Sequence, residues 1–287
     1  MKKNTLFGLS LACFFFVSCF LMSCGSGDLD QSASETSESS EQAHFAKQVK
    51  VFGILVVATN TVADDKLLHA ANMMAEYLDN DEDGTPDNPK VLEALVSQNT
   101  ILVMAKDEDE LRAIGRGVLP PGAKQSLYDY ETRPGGAAQG LFDAALEEII
   151  HPITDVGYAT AYPEVFGTEP GSEVAKIMDE ARGGHFEPVP EKYPDNAWYT
   201  YYDETCEYDC QITEYIYWAL TSILGAQDFP GRLERIQDEW RYNTAEKLKT
   251  GDPKIYALLT DPQYKLPTVL PDGVYKAESF TIEEYKQ

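Results

Sequence analysis

A histidine and two glutamates in the segment FDAALEEIIH, residues 142–151, have the types and spacing for metal chemistry. On an α-helix, Glu147 and His151 lie about 40° apart around the axis, with Glu148 one position further along the chain. Carboxylate and imidazole groups bind divalent metals, and a carboxylate is also a general base. The opposite face of the helix is apolar and is formed by Phe142, Ala145, Leu146, Ile149, Ile150 and Ile153. We therefore predict a helix over residues 137–151 that buries one side and presents these groups, with Asp143, on the other.

The motif EEIIH of residues 147–151 resembles the HExxH helix of the zincin metallopeptidases, with a glutamate at the position of the first histidine. The resemblance implies that Glu147 and His151 are metal ligands and that Glu148 is the general base. In gluzincins, a subgroup of that family, the third ligand is a glutamate on a later helix, which here points to Glu214. The family also implies zinc, a peptide substrate and a zincin-like fold over residues 50–225.

Glu214 is the only charged residue in residues 211–227. A lone carboxylate in such an apolar helix is costly unless it is paired or bound to a metal. Besides a metal, its partner could be Arg182, Arg232 or a tyrosine hydroxyl. The resemblance also assigns an oxyanion-stabilising role to a tyrosine, for which Tyr199, Tyr201 and Tyr202 are the candidates.

Two features of the EEIIH segment fit an ordinary surface helix instead. The carboxylates of Glu147 and Glu148 could simply form a solvated polar face. Pro152 follows His151 directly and disfavours helical geometry at the preceding residue, so we expect the helix to end there.

An acidic segment over residues 79–87, DNDEDGTPD, has the pattern of a calcium loop. Oxygen ligands fall at alternate positions, and Gly84 stands where such loops turn sharply. The predicted calcium ligands are Asp79, Asp81, Asp83, the carbonyl of Thr85, and Asp87. The twelfth position is Lys90 and not glutamate, so the loop resembles the EF-hand-like loops of extracellular modules. The alternative is a solvated acidic turn.

The predicted elements that must position these groups indicate an α+β fold. A small N-terminal half of strands and helices is followed by a mainly helical half. Strands are predicted at residues 51–59 and 100–105, and residues 120–140 are predicted as loop. Helices are predicted at residues 64–78, 89–98, 107–115, 137–151, 173–181, 211–225 and 229–249. Residues 252–287 are predicted to be irregular.

The first 24 residues resemble the signal sequence of a bacterial lipoprotein. Lys2 and Lys3 precede an apolar run, which ends in the lipobox-like LMSCG around Cys24. We expect a signal peptide over residues 1–23, a lipid on Cys24, a flexible Ser- and Glu-rich tether over residues 24–44, and one globular domain over residues 45–287. The expected location is the cell envelope, at the outer membrane in a Gram-negative organism.

Charge and cysteine content narrow the function classes. The formal net charge is −25, from 23 Lys and Arg against 48 Asp and Glu, which disfavours nucleic-acid binding and favours cations. Cys206 and Cys210 are predicted to form a disulfide, because an exported protein meets an oxidising compartment.

Three functional hypotheses follow. The first is a membrane-anchored, metal-dependent peptidase-like protein that acts on a peptide or protein. The second is a non-catalytic, calcium-stabilised binding or structural lipoprotein. The third is a carbohydrate-binding module built on the aromatic run of residues 198–202, which predicts exposed, coplanar rings beside a groove.

Overall fold

The structure is a computed structural model that describes residues 43–286. A mixed sheet of five strands supports the N-terminal half of this range. The strands are β1 (Phe45–Val51), β2 (Ile54–Thr59), β3 (Ile101–Ala105), β4 (Ala123–Tyr128) and β5 (Glu283–Glu284). Their order is β4-β3-β2-β1-β5. Strands β2, β3 and β4 are parallel, whereas β1 is antiparallel to both of its neighbours. The expected α+β fold is confirmed.

The single strand predicted at residues 51–59 is wrong, because a tight turn divides this apolar region. Phe52 and Gly53 form the turn between β1 and β2, with φ angles of 48° and 99°. Two consecutive positive φ angles are typical of the turns that join antiparallel strands. Phenylalanine is uncommon at such a position, so the turn has no polar signature in the sequence.

Three helices accompany the sheet: α1 (Asp64–Leu78), α2 (Pro89–Ser97) and α3 (Glu108–Ile114). Helix α1 buries most of its residues, including Leu67, Met73 and Met74, and packs against β1 and β2. Strand β4 lies within residues 120–140, which were predicted as loop. The prediction was wrong there because AKQSLY is half polar, as befits a strand at the edge of a sheet.

The EEIIH segment belongs to a composite helix that runs over residues 145–161. It consists of α4 (Ala145–Glu148), α5 (Ile150–Pro152), a π-helical segment (Ile153–Tyr158) and α6 (Ala159–Ala161). The predicted bounds of 137 and 151 were both wrong. A separate 3₁₀ turn (Gly136–Gln139) ends at Gly140, which has a φ of 69°. At the other end, Pro152 adopts helical angles of −64° and −26°, and the chain continues beyond it as wider π turns.

The C-terminal half is helical around one long, buried helix. The remaining helices are α7 (Pro163–Phe166), α8 (Glu173–Arg182), α9 (Tyr208–Leu224), α10 (Arg232–Ile236), α11 (Ala245–Gly251) and α12 (Pro253–Leu259). Helix α9 is buried almost throughout, and a disulfide between Cys206 and Cys210 fixes its start, as predicted. The single helix predicted over residues 229–249 was wrong. This region forms α10 and α11, and Trp240, in the segment between them, is fully buried. No helix in the described range is long and apolar enough to cross a membrane.

The C-terminal segment packs across the acidic loop and returns to the sheet. Asn80 accepts the backbone N–H groups of Thr268 and Val269, each at 2.8 Å. The hydroxyl of Tyr275 donates to Asp79, and Lys276 pairs with Glu82 at 2.7 Å. Apart from α12 and the short strand β5, this region is irregular as predicted, and side chains of the loop hold it in place.

Candidate metal centre

Glu147, His151 and Glu214 meet between the composite helix and α9. One ligand atom from each residue lies within 4.8 Å of the other two. The His151 Nε2 atom is 3.5 Å from Glu214 Oε1 and 4.0 Å from Glu147 Oε1. Ligands of a tetrahedral metal with bonds of about 2.1 Å are about 3.4 Å apart. The described geometry therefore brings together all three ligands that the sequence predicts, at spacings close to those of a metal site.

The centre is nearly enclosed, with its opening on the Glu147 side. The side chains of His151 and Glu214 are each 4% exposed, whereas that of Glu147 is 22% exposed. Burial raises the pKa of Glu147 to about 7 and raises that of Glu214 well above its usual range. Burial also lowers the pKa of His151 to about 3. Without a cation, the carboxylates retain protons near neutral pH, so a metal would bind here in exchange for protons.

Tyrosine hydroxyls orient the two carboxylate ligands. Hydrogen-bonding contact with Tyr217 lowers the pKa of Glu147, and contact with Tyr201 lowers that of Glu214, in each case against the larger effect of burial. The Tyr217 oxygen accepts from Gln227 Nε2 at 3.3 Å and from Arg232 Nη2 at 3.5 Å, which leaves its own proton for Glu147. Hydrogen bonds of this kind hold metal ligands in one rotamer. Within the described residues Glu214 forms no ion pair with Arg182 or Arg232, which the sequence left open, and its carboxylate lies beside His151 and Tyr201.

Arg232 supplies positive charge beside the carboxylates. Its guanidinium lies 4.2 Å from the ring centre of Phe142, and its Nε donates to Gln227 at 2.6 Å. This charge lowers the pKa of Glu147, against the larger effect of burial. The sequence offered Arg232 as a possible partner of Glu214, whereas the structure places its charge beside Glu147.

Glu148, the predicted general base, lies beside the ligands and is hydrogen-bonded to strand β4. Gln125 Nε2 donates to Glu148 Oε2. Burial and the neighbouring carboxylates of Glu147 and Glu131 raise the pKa of Glu148 well above its usual range. A general base with a raised pKa holds a proton more strongly once it has taken one. The sequence did not identify Gln125, because β4 was predicted as loop.

Asp143 is not part of this group, although the sequence placed it on the same face. It precedes the composite helix, where its Oδ1 accepts the N–H groups of Arg133 at 2.9 Å and Ala145 at 3.2 Å. Its Oδ2 lies 2.7 Å from His69 Nε2. The buried His69–Asp143 pair therefore links α1 to the start of the composite helix.

Other ionisable and tyrosine side chains around the centre have different surroundings. Asp155 is exposed, and within the described residues His151 Nδ1 has no hydrogen-bond partner. His185 pairs with Asp179 at 2.8 Å on the surface. Tyr199 donates to the carbonyl of Gln211 at 2.8 Å, away from the ligands. Of the three tyrosine candidates, Tyr201 is the one that lowers the pKa of a candidate ligand, Glu214.

The acidic loop brings together three of its five predicted calcium ligands. Carboxylate oxygens of Asp79, Asp81 and Asp83 lie within 4.8 Å of one another. Asp87 instead accepts the backbone N–H of Asn80 at 2.7 Å, and the N–H of Thr85 donates to Asp83 at 2.8 Å. Asp79 is fully buried and the other two are exposed, so the cluster has an inner and an outer side.

The aromatic run of residues 198–202 does not form the exposed coplanar surface that a carbohydrate module predicted. Tyr199 and Tyr201 are buried, and Trp198 is half-buried and donates to Asp252 at 2.8 Å. Tyr202 is the exception, with 52% of its surface exposed.

The predicted signal peptide, the lipidation site Cys24 and most of the tether lie outside the described residues. Searches with the whole chain find no matching protein family, no matching characterised protein and no matching solved structure. The candidate site therefore rests on its own geometry and chemistry.

Proposed function

We propose that the protein is a metal-dependent, peptidase-like hydrolase carried on an exported lipoprotein. The observation that carries this proposal is the convergence of Glu147, His151 and Glu214, with 3.5 Å between His151 Nε2 and Glu214 Oε1. Three ionisable groups are rarely buried together without a compensating charge. One imidazole and two carboxylates form a harder ligand set than the histidine-rich sites of most zinc hydrolases, and they fit a divalent cation such as zinc or manganese.

The residues around the centre fit a hydrolytic role. A bound divalent metal polarises a carbonyl and lowers the pKa of a water molecule. Glu148 holds the proton that the attacking water loses, and Gln125 orients its carboxylate. Arg232 and Tyr217 keep Glu147 in position on the open side of the centre.

A peptide is the substrate class that the neighbouring strand favours. Strand β4 is at one end of the sheet order and, among the described strands, pairs with β3 alone. Helices α4 and α5 pack against this strand. An extended peptide can add to such an edge through main-chain hydrogen bonds. A peptide bound along β4 would pass Gln125, whose side chain is in contact with Glu148.

Anchoring and calcium complete the proposal. We propose lipidation at Cys24, which would hold the protein at the cell envelope through a membrane anchor. We also propose that Asp79, Asp81 and Asp83 bind calcium, which would stabilise the loop to which the C-terminal segment is attached. The alternative function, a calcium-stabilised binding lipoprotein without catalysis, keeps this second site and needs no metal at the first.

Peptide hydrolysis by the full-length, detergent-solubilised protein tests the catalytic proposal. A peptide library is incubated with the protein loaded with zinc or manganese, and cleavage is followed by mass spectrometry. Glu148→Gln is expected to lower the rate by a factor of about 10² to 10⁴, as for loss of a general base. Asp155→Asn, on the exposed side of the same helix, serves as the control. Equal cleavage by wild type and Glu148→Gln, or no cleavage by the metal-loaded wild type, overturns it.

A further inference from the structure

Two chain segments near the candidate metal centre form a surface cleft with a volume of about 430 Å³. Residues 192–202 form one wall, and residues 237–241 form the other. The walls are joined where Thr200 N donates to the Glu239 carbonyl at 2.8 Å and Thr200 Oγ1 donates to the Asp238 carbonyl at 2.5 Å. None of the lining residues is a metal ligand or Glu148, so the cleft is a separate site.

Residues 200–202 turn alternate side chains to the cleft and to the metal centre. Tyr201 is buried and lowers the pKa of Glu214, whereas Thr200 and Tyr202 line the cleft. In extended chain, neighbouring side chains point to opposite sides, so this alternation is expected. Tyr202 thereby lies at the surface next to Tyr201, which is buried.

The charges along the cleft balance, which disfavours a strongly charged ligand. Lys192 and Arg241 provide two cations, and Asp195 and Asp238 provide two carboxylates. Lys192 and Asp195 are already paired at 2.7 Å. A cation would meet Arg241, and an anion would meet Asp238. The ligand that suits such walls is neutral and rich in groups that both donate and accept hydrogen bonds.

The groups that remain available in the cleft are an aromatic ring and planar polar side chains. The ring of Tyr202 is 52% exposed and rests against Tyr193, with 5.1 Å between the ring centres. Within the described part of the chain, the Asp238 carboxylate has no hydrogen-bond or ion-pair partner, and Arg241 uses only Nη1, on the Ala197 carbonyl. The C–H face of a sugar packs on an aromatic ring, and neighbouring hydroxyls pair with carboxylate and guanidinium groups.

We propose that this cleft binds a neutral saccharide, with Tyr202 against one face of the ring and Asp238 and Arg241 on its hydroxyls. The site is independent of the metal centre, because it uses no residue of that centre. It differs from the carbohydrate module expected from residues 198–202, since it uses one exposed ring together with the polar wall of residues 237–241.

Binding of the fluorescently labelled full-length protein to an array of neutral and acidic glycans tests this proposal, in a detergent that carries no sugar. Wild type is expected to bind a subset of neutral glycans. Tyr202→Ala and Asp238→Asn should each weaken the binding by about tenfold or more. Tyr130→Ala removes another exposed tyrosine, 41% exposed, and should leave the binding unchanged.

Circular dichroism of each variant shows that it is folded. Titration of the strongest neutral glycan, followed by calorimetry, then measures the dissociation constants. The proposal is overturned if no neutral glycan binds, if only acidic glycans bind, or if Tyr202→Ala binds as well as wild type. His151→Ala should retain glycan binding, so this result is separate from the fate of the metal centre.

Discussion

The His151 imidazole and the Glu214 carboxylate meet across two helices, with 3.5 Å between Nε2 and Oε1 and 4% of each side chain exposed. His151 is four residues after Glu147 on the composite helix, and Glu214 lies in the middle of α9. A contact between residues 63 positions apart (214 − 151) brings together donors that neither helix has alone.

The tyrosine hydroxyls beside the carboxylate ligands should tune metal affinity. Tyr217→Phe and Tyr201→Phe each remove a hydroxyl that lowers the pKa of a neighbouring candidate ligand, Glu147 or Glu214. Loss of such an orienting contact typically costs a factor of 10 to 100 in affinity, so each variant should bind metal about tenfold more weakly or worse. Zinc affinity is measured by competition with a chromophoric chelator. Tyr199→Phe is the matched control, because its hydroxyl donates to a backbone carbonyl and not to a ligand. Equal loss in all three variants would contradict an orienting role.

Calcium should stabilise the protein through the acidic loop. With about 10 mM calcium and a Kd on the order of 1 mM, the expected stabilisation is about 1.4 kcal/mol. For a chain of this size the melting temperature should rise by roughly 3–5 °C. The rise should disappear in Asp81→Asn and Asp83→Asn, whose carboxylates cluster with Asp79.

Asp87→Asn tests whether calcium binding needs Asp87 in addition to the cluster of Asp79, Asp81 and Asp83. Asp87 accepts the N–H of Asn80, and an asparagine oxygen can do the same. This variant should therefore keep the calcium response. Loss of the response in Asp87→Asn, or its persistence in Asp81→Asn, would contradict the cluster of three.

Glu131 should make the metal-free protein less stable as the pH rises. Burial raises the pKa of Glu131 to about 7, with the nearby charge of Glu147 adding to the effect. In the unfolded chain a glutamate has a pKa of about 4.3. Between these two pH values the folded protein holds a proton that the unfolded chain has lost. Protonated Glu131 therefore contributes fully to the free energy of unfolding below about pH 4.3, and this contribution is lost as the pH rises to about 7.

Thermal unfolding in a chelator, from pH 4.5 to 8, checks this pH dependence. Wild type should lose on the order of 3 kcal/mol more than Glu131→Gln over that range. The substitution keeps the oxygen that accepts the backbone N–H of Tyr128 at 3.0 Å. Parallel curves for the two proteins would show that Glu131 does not titrate in this way.

The ligand residues of the candidate centre were predictable because each carries a local signal. Glu147 and His151 have helical spacing, and Glu214 is the only charge in a long apolar stretch. Tyr217 also had a signal that was not used, since it follows Glu214 by three residues and so shares its helix face. Arg232 was predicted only as a possible partner of Glu214, and its position beside Glu147 depends on a turn after α9 that brings it back to the centre.

The errors in the fold have physical causes of the same local kind. The hairpin turn at Phe52 was not predicted because Phe52 lies in an apolar run, and the edge strand β4 was not predicted because half of its residues are polar. At Pro152 the local rule against a preceding helix was overridden by packing, since Ile150, Ile153 and Val156 are buried on both sides of it. Tertiary contacts decide such positions, and no window of sequence contains them.

The metal content of the full-length, detergent-solubilised protein after exhaustive dialysis tests the central claim most directly. Elemental analysis should find close to one equivalent of zinc or another transition metal per chain in wild type and in Glu148→Gln. His151→Ala and Glu214→Gln should lose it, while any calcium on the acidic loop stays in all four proteins. Wild-type protein that contains calcium alone, or a transition metal that survives both ligand substitutions, would contradict the metal centre.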